Sequence, residues 1–218
     1  MHDEPSVRQG VTDYWNNRAP LFDGAASHIR HEMEWRNVLE AAFEVDGPKR
    51  VVDLGSGTGA CALLAAGLGH KVTAVDGAAS MLDCARQSAE ERNLAIDFVI
   101  SSIEDFQGPP AAFDIVTLRN VLWTMENPLI ALQMAAKLLK ARGKVVIADA
   151  LWSKDPANRS AYSNELAKRL PFHAGLTQDD AESLLAQAGF GKPKSWQHYF
   201  PAPPYPGNIP YFVISAEV

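Results

Sequence analysis

The chain has 218 residues, 47% hydrophobic and 21% charged, a mix that excludes a disordered or fibrous protein and can bury roughly 70% of the extended-chain surface without disulfides. Twenty Lys and Arg against 26 Asp and Glu leave a formal charge of −6. With no basic run longer than two residues, nothing prepares the surface for a phosphate backbone, and no nucleic-acid partner is expected.

The opening MHDEPSVRQG has acids and a proline where a leader would have a basic and then an apolar segment, and no apolar stretch approaches 18 residues. The expectation is a cytoplasmic protein with no membrane partner, and the only cysteines, Cys61 and Cys84, suit buried thiols in a reducing compartment. Residues 5–43 read as helical, with Tyr14, Trp15, Phe22 and Trp35 placed to pack over a ligand as a lid. Short β-branched runs then alternate with helical patterns: strands at 50–54, 71–75, 96–100, 113–118 and 144–149, too short and apolar for surface helices. Between them, ACALLAAGLG ends at Gly69, the segment 78–92 sets Met81, Leu82, Ala85 and Ala89 on one face, and a third helix opens on Asn127 and Pro128 and runs through Leu139 to stop before Gly143. An insertion at 151–176 carries a helix over 157–170, a late helix is capped by Thr177 with Asp180 three residues on, and strands at 194–199 and 211–218 flank the Pro-rich loop PAPPYPGNIP as a long hairpin. Strict alternation predicts an α/β, doubly wound open sheet in a single domain, with ligands beyond the carboxyl ends of the strands.

The chemistry is concentrated in VVDLGSGTGA, an apolar strand ending at Asp53 that turns through Gly55, Ser56, Gly57, Thr58 and Gly59 into a helix. Glycines clear side chains from the ligand's path and let amides at a helix N-terminus approach a carboxylate or ribose. Gly55, Gly57 and Ala60 also satisfy the permissive dinucleotide spacing, so a nicotinamide or flavin stays open on glycines alone. Asp53 argues otherwise, since it would set negative charge beside two phosphates but suits a cationic ligand end. Asp76 closes the second strand, where an acid can accept from both ribose hydroxyls in either cofactor class.

Asp53, Gly55, Gly57 and Gly59 together resemble the first motif of the class I S-adenosylmethionine-dependent methyltransferases, an acidic residue followed by G-x-G-x-G, and FDIVTLRNVLWTMENP is similar to the family's fourth strand and following loop. The resemblance covers about residues 10–150, points to the type 11 or ubiquinone-biosynthesis-like subgroup, and implies a Rossmann-like seven-stranded sheet of order 3-2-1-4-5-7-6 with the last strand antiparallel. It implies S-adenosylmethionine as cofactor and S-adenosylhomocysteine as product, held by the glycine loop, by Asp76 and Gly77, by Met81 on the adenine, and by Tyr14 and Arg119 near the methionine end. Ser101 and Ser102 stand where the family commonly has Gly-Asp, leaving the Ser102 hydroxyl and the Ile103 amide for the adenine; Ala141 and Arg142 depart from the family's L-K-P-G-G turn. Asn120, Trp123, Trp15 and Trp152 are the expected acceptor-side residues. A catalytic base is not required, and the candidates are His31, His173, Tyr14 and, further off, His28. No cluster has metal-ligand spacing. The expected function is methyl transfer to an O, N, S or C nucleophile of a small apolar or aromatic molecule by a monomer or homodimer. An NAD(P)-dependent oxidoreductase and a non-catalytic module that binds S-adenosylmethionine are the alternatives.

Overall fold

The computed structural model describes residues 6–22, 31–44, 47–152, 162–205 and 208–218. Seven strands form one sheet: β1 Arg50–Leu54, β2 Lys71–Asp76, β3 Ile96–Ile100, β4 Phe113–Arg119, β5 Leu139–Ala150, β6 Lys194–Ser195 and β7 Tyr211–Glu217. Their order is β3-β2-β1-β4-β5-β7-β6, with β1 to β5 parallel and β7 antiparallel to both of its neighbours. This is the expected topology. The chain order reverses between β1 and β4, and helices α3 (Ala60–Gly67) and α4 (Ala79–Glu91) follow β1 and β2.

Side chains alternate across a strand, so each central strand feeds two cores. Val52, Leu54, Val116, Leu118 and Ile147 face one core with α5 (Pro128–Leu138) and α7 (Gln178–Gln187), while Val51, Val72, Ala74, Ile115 and Val146 face another with α2 (Glu32–Phe43) and α3. Burial on both faces is why these strands read as apolar runs rather than as alternating patterns.

Helix α1 (Val7–Phe22) lies across α4: Ala19 is buried with Ala78 and Met81, and the Ser80 amide donates to Asn16 Oδ1 at 3.0 Å. Helix α2 does not join it over the ligand edge. Trp35 is buried in the second core against Phe200, its ring 4.1 Å beneath the Arg119 guanidinium, which corrects the expectation that Trp35 lines the lid. The third predicted helix ends sooner than expected. Leu139 is already extended and pairs with Phe113, and the register jumps before Lys144 pairs with Ile115, with Arg142 at φ 62° between them. Thr177 and Asp180 form the predicted capping box on α7. The strand predicted at 194–199 shrinks to two residues, because Trp196 turns inward to bond Ser215 Oγ and a 3-10 turn, Gln197–Tyr199, follows. Of the helix predicted over 157–170, α6 (Asn164–Arg169) is seen and 157–161 lie outside the described residues, as do part of the 151–176 insertion and His28.

Candidate active site

The strand-order reversal opens a cavity at the carboxyl ends of β1, β2 and β4. Its walls include Asp53, Gly55 to Thr58, Asp76 to Ala78, Met81, Ser102, Ile103, Arg119 and Asn120, with Val7, Arg8, Val11, Thr12, Trp15 and Phe22 of α1 opposite. Gly55, Gly57 and Gly59 all have positive φ, at 70°, 55° and 87°. Gly55 is required twice over, since a Cβ there would sit 2.3 Å from Val121 Cγ2 in addition to the strain of its backbone. At Gly57 an added Cβ would meet nothing within 4 Å, so the turn stands open over the cavity.

The two acids have different work. Asp53 is 2% exposed and serves the scaffold: Oδ1 accepts from Thr117 Oγ1 at 2.6 Å and Oδ2 from the Ala62 amide at 3.1 Å in the first turn of α3. Burial raises its pKa to about 6, against the opposing pull of those hydrogen bonds and of Arg119. Asp76 ties the loop to β2, with Oδ2 accepting from the Gly57 amide and Oδ1 from the Ala78 amide, both at 2.8 Å. Its pKa is also raised, chiefly by desolvation. Each carboxylate oxygen can accept more than one bond, so Asp76 keeps capacity for ribose hydroxyls. Ser56 Oγ is buried at this cavity and has no hydrogen-bond partner among the described residues, a polar atom awaiting a ligand. An open turn, an orphaned hydroxyl, a carboxylate at the end of β2 and apolar walls from Met81 and Ile103 fit an adenosyl group carrying a cationic chain better than a pyrophosphate.

Ser102 lines the cavity, but its hydroxyl donates to Asp105 Oδ2, which also receives Arg8 at 2.6 Å. Other predicted residues lie elsewhere. Gly59 begins α3 just outside the lining. Tyr14, Trp123 and Trp152 belong to an aromatic cluster behind Trp15: Tyr14 packs on Tyr162 at 4.8 Å, and Trp123 lies 6.1 Å from both Trp15 and Trp152. Of this cluster Trp15 reaches the cavity, its Nε1 donating to Tyr162 at 3.0 Å. His31 starts α2, paired with Glu34 at 3.4 Å, and His173 Nδ1 lies 3.1 Å from the Leu170 carbonyl oxygen; neither lines the cavity. Burial lifts the Cys61 thiol to about 12, leaving it protonated.

Sequence reasoning did not single out Asp149 or Tyr205. Asp149 is fully buried, accepts from the Ala150 amide and from Trp152 Nε1, and is raised to about 7 by desolvation. Tyr205 comes from the Pro-rich loop and bonds Asn120. No local pattern marks either, because their partners are distant in the chain. Among the described residues no group of His, Cys, Asp and Glu could hold a metal ion, and no helix is long and apolar enough to cross a membrane.

Residues 52–147 match the family model described as a methyltransferase domain. A ubiquinone biosynthesis O-methyltransferase of Actinobacillus pleuropneumoniae is 37% identical over 121 residues, 53% of this chain and 51% of the relative. One of Xanthomonas campestris is 34% identical over 99 residues, 45% of this chain and 41% of the relative. The chain thus spans about half the length of the curated relatives it matches. Among solved structures, the magnesium protoporphyrin IX methyltransferase of Synechocystis superposes over 100% of this chain and 99% of its own with a TM-score of 0.68 at 18% identity. The cyclase SpnF covers 84% of this chain and 78% of its own with a TM-score of 0.63 at 19% identity. At such identities these likenesses establish the fold. Fold, glycine loop and domain match together support a class I S-adenosylmethionine-dependent methyltransferase. The domain match runs from β1 into β5.

Proposed function

We propose that the chain transfers a methyl group from S-adenosylmethionine to an O, N, S or C nucleophile of a small, apolar or aromatic molecule. The observation that carries this reading is the turn after β1, open at Gly57 and tied to Asp76, which faces a cavity walled by α1. When bound, the cofactor supplies a sulfonium-activated methyl group. The chain's share is to place and enclose. Asp76 and Gly77 would hold the ribose, Met81, Ser102 and Ile103 the adenine, and Gly55 to Gly59, Asp53 and Arg119 the methionine end, with Tyr14, Trp123 and Trp152 acting through Trp15. Orientation and exclusion of water can account for about 7 to 11 kcal/mol of such a barrier. With His31 and His173 outside the cavity and Tyr14 raised by burial, the reading assigns no general base.

In this account α1 is the covering element on the acceptor side, backed by Trp152 and Tyr162 through the aromatic cluster. The setting proposed is the reducing cytoplasm, as monomer or homodimer and without nucleic acid, supported by two cysteines that form no disulfide and by the acidic balance. The likeness to SpnF, whose name is that of a cyclase, favours one second reading, a cofactor-holding chain that moves no methyl group. Transfer of labelled methyl from S-adenosylmethionine to a panel of phenols, thiols, amines and carboxylates separates them. Label in an extracted product is expected; a chain that binds the cofactor and labels nothing would favour the second.

A further inference from the structure

Asn120 leaves β4 in the left-handed region, φ 56°, at the cavity wall. Three of its four polar groups are engaged inside the protein. Its amide N–H donates to the Ala148 carbonyl at 2.8 Å, its carbonyl accepts from Trp123 Nε1 at 2.9 Å, and its side-chain Oδ1 accepts from the Tyr205 hydroxyl at 2.8 Å. The tyrosine hydroxyl is the donor in that last bond. Oδ1 is therefore the inward atom. The Nδ2 group, which has no acceptor among the described residues, is the polar group left for the cavity. Tyr205 is itself held, 4% exposed and edge-on to Trp152 at 4.9 Å.

We infer that Asn120 selects what enters: its Nδ2, oriented by the bond from Tyr205 to Oδ1, donates to a carbonyl, phenolate or carboxylate oxygen on the acceptor molecule. The inference rests on the proposed methyl-transfer reading and adds the polar group by which the acceptor is recognised. Asn120 is the recognising residue and Tyr205 a positioning residue. Ligands with an ammonium in that place meet a donor and are disfavoured, while an oxygen satisfies a group that would otherwise lose its water unpaired.

Two neutral probes of like shape isolate this contact, acetophenone and α-methylstyrene, which differ by C=O against C=CH2. Their affinities are read by NMR titration with and without saturating S-adenosylhomocysteine, in the wild-type chain, in Asn120→Asp and in Tyr205→Phe. Aspartate tolerates the left-handed backbone and still accepts from Tyr205, but replaces the donor with a carboxylate. The wild type should prefer acetophenone by about five-fold, the worth of one net hydrogen bond. Asn120→Asp should abolish or invert that preference. Tyr205→Phe should shrink the ratio while the two affinities stay measurable; a merely structural tyrosine would weaken both probes together and leave their ratio alone. Equal affinities in the wild type, binding of neither probe, or a preference that survives Asn120→Asp overturns the inference. Failure of S-adenosylhomocysteine to bind, with the probe ratio as expected, would instead strike the cofactor reading.

Discussion

Asp76 carries two loads that a motif cannot separate. Its oxygens hold the amides of Gly57 and Ala78, so its removal disturbs the turn and the start of α4 as well as any ribose contact. Asp76→Ala is therefore expected to weaken S-adenosylhomocysteine binding by about 1 to 3 kcal/mol and also to lower folding stability by about 1 to 2 kcal/mol, in calorimetry and urea titration respectively. Affinity lost with stability untouched would show that the amide bonds are incidental. Asp53 shows the limit of motif reading: its place before the glycines is legible, yet Thr117 Oγ1, which occupies one oxygen, comes from β4 and is distant in the chain. The aromatic residues follow the same rule. Tyr14, Trp15, Trp123 and Trp152 are visible as large side chains near the site, but which of them meets the cavity depends on packing against Tyr162 and Tyr205.

The turn between β1 and α3 and the docking of α1 on α4 decide whether the cavity exists. Gly55→Ala should cost more than about 1 kcal/mol, because the backbone is left-handed and Val121 lies inside contact distance, and should abolish S-adenosylhomocysteine binding. Unchanged affinity and melting temperature would show that the turn rearranges freely. The N-cap of helix α4 is Ala78, which brings no capping side chain of its own. Asn16 of α1 takes that role by accepting from Ser80 N. Asn16→Ala should cost about 1 kcal/mol of stability and loosen the wall formed by α1, read as faster amide exchange in both helices. Exchange confined to α1 would contradict the shared cap. Periodicity and caps made most elements legible, including the start of α5 at Pro128 and the capping box of α7. The missed points, the early start of β5 at Leu139 and the short β6, are places where a register jump and the burial of Trp196 override local pattern.

At the scale of the molecule, the sheet order sets the ends of β1, β2 and β4 side by side, so that Asp53, Asp76 and Asn120 meet although no window of sequence contains them. The alternation of strands and helices made this doubly wound plan legible; the reach of the Pro-rich loop to Asn120 depended on tertiary closure alone. The same burial shapes the response to pH. Asp149, raised to about 7, stays protonated in the folded chain where the unfolded carboxyl has already ionised. The folded state then binds the extra proton, and stability falls as pH rises from about 4 to about 7 before levelling off. Asp149→Asn removes this slope, so its stability relative to wild type should rise between pH 5 and pH 8 by up to a few kcal/mol in urea titrations. Parallel curves would show that Asp149 is charged throughout.

On the proposed reading, the crevice after β1 receives an adenosyl thioether and not a dinucleotide. Titration calorimetry of the wild-type chain with S-adenosylhomocysteine and, separately, with NADH tests it most directly. The account predicts saturable one-to-one heat with the former and none with the latter; binding of NADH alone would contradict it.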